Sequence, residues 1–252
     1  MNSERFSQVG IDRFVRLVWF EKTSSLILAG NTAKDVKAIL QQDLSGAFRS
    51  SRTDVRGSLD KTITILMKVW LAVPAELEPI RTSGLELLQR IPRQDHIAIH
   101  WGMVMAVYPF WAGVATQVGR LLKLQSSVTA AQVQRRVREQ YGERETVSRR
   151  ARYALRSFVD WGALQETEKK GIYNAGSALP LDDSHLIAWL VEAALHTRVN
   201  GSAPMKDVLQ SPSLFPFKIK LIPADSLRIA NPRLNIVRHG LDEDLAMLAR
   251  DK

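Results

Sequence analysis

The stretch from residue 96 to residue 119 most limits how this chain can fold, because its 24 residues contain no Lys, Arg, Asp or Glu. So long an uncharged run has to be buried, either in a lipid bilayer or inside the protein. Tyr108-Pro109 lies in the middle of it. Proline is tolerated in the first turn of a new helix, and it pushes the preceding residue out of the helical region. The pattern therefore predicts two buried helices, over residues 96–107 and 109–124, with a membrane span as the alternative.

Residues 129–162 predict a second pair of helices joined by a tight turn. Thr129 can cap the first helix, and Gly142 can end it because glycine adopts a left-handed conformation without a Cβ clash. The apolar side of this helix consists of Val133, Val137 and Tyr141. A second helix starts at about Arg144 and ends at Trp161-Gly162, and its inward-facing residues are Val147, Ala151, Leu155 and Phe158.

The other face of the second helix is basic, and a lysine-tipped hairpin follows it. Arg149, Arg152 and Arg156 recur at intervals that place them in one stripe, with Arg150 at its flank. Residues 163–167 and 171–174 suit two short strands around a Glu-Lys-Lys-Gly turn. Two helices followed by such a hairpin predict a winged helix-turn-helix, which lays its second helix into a DNA groove and contacts flanking phosphates.

The charge distribution favours the same interpretation. Residues 120–156 contain ten Lys or Arg and three Glu, a net +7, while the whole chain has a net charge of +9. Charge focused in this way favours a polyanionic partner. One alternative is a solvated basic face that binds nothing. Winged helices also dock proteins, so the fold alone does not define the function.

The N-terminal part also predicts helices, beginning with one from Val9 to a stop at Gly30-Asn31. Thr32 can cap a short helix in a sequence that is similar to the one after Thr129. The helix that follows has three arginines around its start, namely Arg49, Arg52 and Arg56. This internal sequence similarity suggests a second helix-turn-helix, and chance similarity between short capped helices is the alternative.

The C-terminal part predicts a small α+β region. Asp182 or Asp183 can start a helix, and Pro204 can start a shorter one. Several prolines then divide the chain into three expected extended pieces (residues 217–222, 227–230 and 234–238), and a last helix is expected over residues 241–250. The predicted domains are an N-terminal helical domain, a central domain of helices plus the winged helix, and the α+β region, with the bounds 9–92, 93–176 and 177–252.

Catalytic motifs are lacking in the sequence. The chain has no cysteine, which excludes disulfides, thiolate zinc sites and cysteine nucleophiles. His96 and His100 have a metal-ligand spacing without an obvious third ligand, and neither a phosphate-binding glycine loop nor a serine nucleophile motif is present. We therefore expect a protein that is not an enzyme and has no metal or cofactor. The polar N-terminus contains no signal-like apolar run, so we expect a cytoplasmic location.

Several segments together resemble the BrxA family of bacterial BREX phage-exclusion systems. They are Leu28-Ala29-Gly30-Asn31-Thr32, Arg49-Ser50-Ser51-Arg52-Thr53, Tyr108-Pro109-Phe110, and the helix over residues 146–156 that closes on Trp161-Gly162-Ala163-Leu164. The resemblance covers residues 14–173 and is one of pattern and order. It implies a helical core with winged-helix character, and an accessory defence protein that binds DNA without cutting it.

The sequence thus predicts a mainly α protein with a winged helix-turn-helix module and a small α+β C-terminal part. Its expected partners are double-stranded DNA and other defence-system proteins, without a membrane. The expected DNA-binding residues are Arg144, Arg149, Arg150, Arg152, Arg156, Lys169, Lys170, Arg49, Arg52 and Arg56. The alternatives are an operator-specific transcriptional regulator and a scaffold whose winged helix docks another protein.

Overall fold

The computed structural model describes residues 4–48, 55–239 and 243–249, and it is mainly helical. The helices are α1 (Glu4–Ser7), α2 (Leu17–Leu28), α3 (Ala33–Leu44), α4 (Val55–Trp70), α5 (Glu78–Arg90), α6 (His96–Val107), α7 (Pro109–Leu124), α8 (Ala130–Tyr141), α9 (Glu145–Asp160), α10 (Ser184–Leu195), α11 (Met205–Leu209) and α12 (Ala224–Ala230). The strands are β1 (Ser127–Thr129), β2 (Leu164–Glu166), β3 (Ile172–Ala175), β4 (Leu179–Leu181), β5 (Ser202–Pro204), β6 (Phe217–Ile219), β7 (Leu234–His239) and β8 (Glu243–Leu248).

Helix α6 lies at the centre of the molecule. Eleven of its twelve residues are buried, which explains why no polar face interrupts its sequence. Tyr108 has φ −125° and ψ 82°, outside the helical region, and Pro109 opens α7. The chain bends by 117° at this point. The two buried helices expected from the uncharged run are therefore confirmed.

The apolar helices α6 and α7 invite comparison with the length and composition that a membrane span needs. Among the residues that the structure covers, no single helix is long and apolar enough to cross a bilayer. The bent pair α6 and α7 meets the criterion only when both members are counted together.

Trp101 of α6 is the hub of an aromatic core that joins distant parts of the chain. Its ring centroid lies 4.9–5.9 Å from those of Trp111, Phe158, Trp161, Phe215 and Phe217. Its indole Nε1 donates a hydrogen bond to the carbonyl of Ser213 over 3.0 Å, so the polar atom of this buried ring is satisfied. The basic helix α9 is thus held in place by the same core that holds α6, α7 and the segment before β6.

The chain ahead of α2 is not helical, contrary to the expected helix from Val9. Residues 8–16 form neither helix nor strand, and α2 begins at Leu17. The end of this segment is tied to α9. The Val15 amide donates to Ser157 Oγ (3.0 Å), the Val15 carbonyl accepts from Trp161 Nε1 (3.1 Å), and the Leu17 amide donates to Asp160 Oδ2 (3.1 Å). These long-range bonds replace the helical hydrogen bonds that the local sequence would otherwise form.

Three small sheets accompany the helices in the described residues. β1, β3 and β2 form an antiparallel sheet with β3 in the middle, β4 pairs with β6 in parallel, and β8 lies between β5 and β7. The small α+β C-terminal part is therefore confirmed. Asp183 is the N-cap of α10, because its Oδ1 accepts a hydrogen bond from the Leu186 amide over 2.8 Å.

Two C-terminal predictions are wrong. Residues 227–230 belong to helix α12, because Pro223 precedes a helix as its N-cap instead of breaking the chain. Residues 243–248 form strand β8 where a last helix was expected over 241–250. Its Leu-Ala-Met-Leu sequence favours a helix, but pairing on both sides with β5 and β7 outweighs that local preference.

Candidate nucleic-acid interface

Helix α8 begins with a complete capping box. Thr129 Oγ1 accepts a hydrogen bond from the Gln132 amide (3.1 Å), and Gln132 Oε1 accepts one from the Thr129 amide (2.9 Å). Two amides that have no partner within the helix are thereby satisfied. At the other end, Gly142 has φ +97°, a conformation that a residue with a Cβ rarely adopts. Both ends of this helix agree with the sequence prediction.

Removing this cap should weaken the region measurably. We expect Thr129→Ala to lower the free energy of unfolding by about 0.5–2 kcal/mol, the usual cost of losing an N-cap side chain. Thr129→Ser keeps the hydroxyl and should cost much less. Thermal denaturation of the two variants beside the wild type measures the difference, and equal stability of all three proteins would contradict the role of the box.

Helix α9 separates an apolar face from a basic one. Val147, Ala151, Leu155 and Phe158 are buried as predicted, while Arg149, Arg152 and Arg156 are exposed and Arg150 is partly exposed. Arg149 forms an ion pair of 3.9 Å with Glu145, and both side chains are open to water, so the pair is weak. Arg150 and Arg152 have no hydrogen bond or ion pair with any residue that the structure describes. The helix thus presents its positive charge largely unneutralised.

The strands of the sheet β1-β3-β2 flank the helix pair in sequence, with β1 before α8 and with β2 and β3 after α9. β2 and β3 are antiparallel, with Gln165 opposite Asn174, and the loop between them closes where the Thr167 amide donates to the Ile172 carbonyl over 3.1 Å. Lys169 and Lys170 are exposed in that loop. The predicted hairpin is therefore present; its first strand is shorter than the sequence suggested, and its second is shifted by one residue.

Three arginines of α9, namely Arg149, Arg150 and Arg156, line one wall of a cleft that the sequence did not reveal. The cleft has a volume of about 750 Å³. Its opposite walls come from the segment before α2 and the start of α2, from residues 47–48 after α3, and from α4. Among the described residues, the basic side chains around it are Arg13, Arg16, Lys61, Arg149, Arg150 and Arg156, and the acidic one is Asp12. Arg13, Arg16 and Lys61 were not predicted, since nothing in the local pattern brings residues so far apart in sequence together.

Of the other predicted residues, those whose side chains the structure describes do not line this cleft. Arg152 projects from α9 outside the lining. Arg144 is exposed at the N-terminal end of α9, where its guanidinium donates to the Tyr141 carbonyl over 3.2 Å. Arg49 and Arg52 lie outside the described residues, and of Arg56 only the backbone, in α4, is described. The possible first helix-turn-helix therefore stays a prediction.

His96 and His100, which have a metal-ligand spacing in the sequence, differ in how deeply they are buried. His100 is fully buried between the rings of Phe20 and Trp70, with centroids 6.1 and 5.4 Å away. Burial, helped by the nearby His96, lowers the pKa of His100 to about 3, so its ring is neutral. His96 is only partly buried. Within the described ranges, no three His, Asp or Glu side chains are grouped so that they could hold a metal ion.

No family model, curated protein or solved structure matches this chain.

Proposed function

We propose that this protein is a non-enzymatic DNA-binding protein that contacts duplex DNA through a winged helix formed by α7, β1, α8, α9, β2 and β3. The observation that carries the proposal is the largely unneutralised arginine face of α9, which is followed directly by a loop with two exposed lysines. In this assignment α9 is the recognition helix and the β2–β3 loop is the wing.

The order and pairing of the elements support the winged-helix assignment. A helix, a strand, two helices and two strands follow one another, and the last strand lies between the other two. Phe158 and Leu155 anchor α9 to the core, so its basic face is held rigidly. A recognition element benefits from that rigidity because little conformational freedom is lost when it binds.

The α9 face is suited to phosphate contacts and lacks the side chains that usually read adenine. The helix contains four arginines and neither Asn nor Gln, the side chains that most often read adenine. Arginine contacts to phosphates position a protein on DNA and carry little sequence information. We therefore propose binding with broad sequence tolerance.

Binding to duplex DNA should depend steeply on salt. A protein that neutralises about 6–10 phosphates loses roughly 10³- to 10⁵-fold in affinity between 50 and 200 mM salt, because counterions are released. Fluorescence anisotropy with a labelled duplex at several salt concentrations measures this slope. If the protein does not bind at about 50 mM salt, the proposed function is wrong. A shallow slope would instead indicate an interface with few phosphate contacts.

A role in phage defence, in the cytoplasm and beside other defence-system proteins, is the more specific part of the proposal. It rests on the resemblance to the BrxA family. The neighbouring genes test it, since a methyltransferase and a large ATPase encoded next to this chain are expected for a BREX system. A dimeric protein that leaves a defined footprint on one operator sequence would instead indicate a transcriptional regulator.

A further inference from the structure

The cleft beside α9 concentrates positive charge that internal partners do not fully neutralise. Arg16 pairs with Asp160 at 3.7 Å and Arg13 with Asp12 at 3.5 Å. Lys61 and Arg150 have no hydrogen bond or ion pair with any residue in the described ranges. Like charges facing one another across a cleft repel, so a bound anion would be favoured there.

The dimensions of the cleft exclude a double helix from its interior. Its volume of about 750 Å³ falls in the range of small-ligand pockets, roughly 300–1,000 Å³. A duplex can rest on its rim but is too thick to enter. A short stretch of single strand, with one sugar-phosphate backbone and its bases, matches both the volume and the charge.

Aromatic side chains lie among these cations, as they do in proteins that bind single strands. Tyr153 of α9 is partly exposed in the cleft, and among the described residues it has no ring partner and no hydrogen bond to its hydroxyl group. The guanidinium of Arg156 lies over the ring of Phe14, with 4.7 Å between its central carbon and the ring centroid. The rings of Trp19 and Phe48 contact each other in the opposite wall, with centroids 5.6 Å apart and planes tilted by 30°. Planar side chains are therefore present on both walls of the cleft.

We propose that this cleft binds a single strand of DNA, with a base stacked on Tyr153 and the backbone held by Lys61, Arg150 and the neighbouring arginines. The inference extends the proposed DNA-binding function and adds a second kind of ligand. Duplex DNA would contact Arg152 and the exposed rim of the cleft at Arg149, while an unpaired strand end or loop would enter the cleft. The protein would then prefer DNA in which a duplex adjoins an unpaired strand end or loop.

The test compares two probes, a labelled oligothymidylate of about 16 nucleotides and a blunt duplex of the same length. Tyr153→Ala should weaken binding of the single strand about 5- to 150-fold, the range for losing one base-stacking contact, and Tyr153→Phe should restore it. Lys61→Ala should also weaken it, whereas Lys37→Ala, the same change at an exposed lysine of α3 outside the cleft, should not. Arg152→Ala should affect the duplex and spare the single strand.

The outcomes separate this inference from the proposed function. If the duplex binds but the oligothymidylate does not, or if Tyr153→Ala and Lys61→Ala bind it like the wild type, the cleft assignment is wrong and duplex binding stands. If the oligothymidylate binds through the cleft but the duplex does not, the winged-helix proposal is wrong and the cleft assignment stands. If neither the oligothymidylate nor the duplex binds, both the winged-helix proposal and the cleft assignment are wrong. Melting curves of each variant show whether it is folded, so that a loss of affinity is not mistaken for unfolding.

Discussion

Replacing Arg149 and Arg152 together with alanine should weaken duplex binding at least about 30-fold. Each lost charged contact costs on the order of 1–3 kcal/mol, and even two contacts at the lower limit give that factor. Thermal stability should hardly change, because both side chains are exposed and face away from the buried side of α9. Fluorescence anisotropy gives the affinity, and a melting curve shows that the variant is folded.

Two further double variants show whether the effect is specific to α9. Lys169→Ala with Lys170→Ala removes two charges from the β2–β3 loop and should weaken binding less, with a shallower salt slope. Lys218→Ala with Lys220→Ala removes the same charge from exposed positions at and just after β6, outside the proposed interface, and should change little. If the double arginine variant binds like the wild type while folded, insertion of α9 into a DNA groove is excluded.

Replacing Arg233 with methionine should lower the melting temperature by about 6–12 °C. Glu192 is 2% exposed. Both of its oxygens accept hydrogen bonds from Arg233 at 2.8 Å, and one also accepts a bond from Asn231 at 2.7 Å. Without Arg233 a buried carboxylate loses its countercharge, which costs about 3 kcal/mol, the lower end for buried pairs because the arginine is one-third exposed. A chain of this length loses roughly 2–4 °C per kcal/mol.

The stability difference between Arg233→Met and the wild type should depend on pH. Burial raises the pKa of Glu192, but His196 at 3.9 Å, the hydrogen bonds from Arg233 and Asn231 and the charge of Arg233 outweigh it, so the pKa is below its ordinary value of 4.5. A lowered pKa stabilises the fold above the unfolded-state pKa, and the stabilisation is lost as the pH falls through the folded-state pKa. The difference between Arg233→Met and the wild type should therefore be largest near neutral pH and shrink below about pH 4.5.

Arg228 provides the matched control for this experiment. It pairs with Asp225 on the surface of α12, where both side chains are largely exposed. Exposed pairs contribute no more than about 1 kcal/mol, so Arg228→Met should change the melting temperature little. If the two methionine variants were equally stable, the buried network around Glu192 would not hold α10 to the C-terminal part.

Local signals predicted most of the helical framework correctly. The caps at Thr129 and Asp183 and the break at Pro109 act within a few residues, and the structure has each of them where the sequence indicated. The alternation of buried and exposed faces along α9 is likewise a property of one helix. The hairpin after α9 was predictable because its strands are close in sequence. For these elements the short-range pattern and the final fold agree.

Non-local contacts explain the predictions that were wrong. β8 is a strand because β5 and β7 flank it, although its own residues favour a helix. Residues 8–16 remain irregular because Val15 and Leu17 bond to Ser157, Trp161 and Asp160, more than 140 positions away. Such pairings depend on how the whole chain packs, and no periodicity within a segment reports them.

By itself, the sequence determined that the chain is mainly helical, that its uncharged run is broken into two buried helices, and that α9 has one basic face. Those features follow from capping, proline geometry and helical periodicity, which act over a few residues. Only the tertiary structure decided that Arg13, Arg16 and Lys61 face that helix across a cleft. Their meeting depends on the aromatic core around Trp101 and on long-range hydrogen bonds, which join segments that are far apart along the chain.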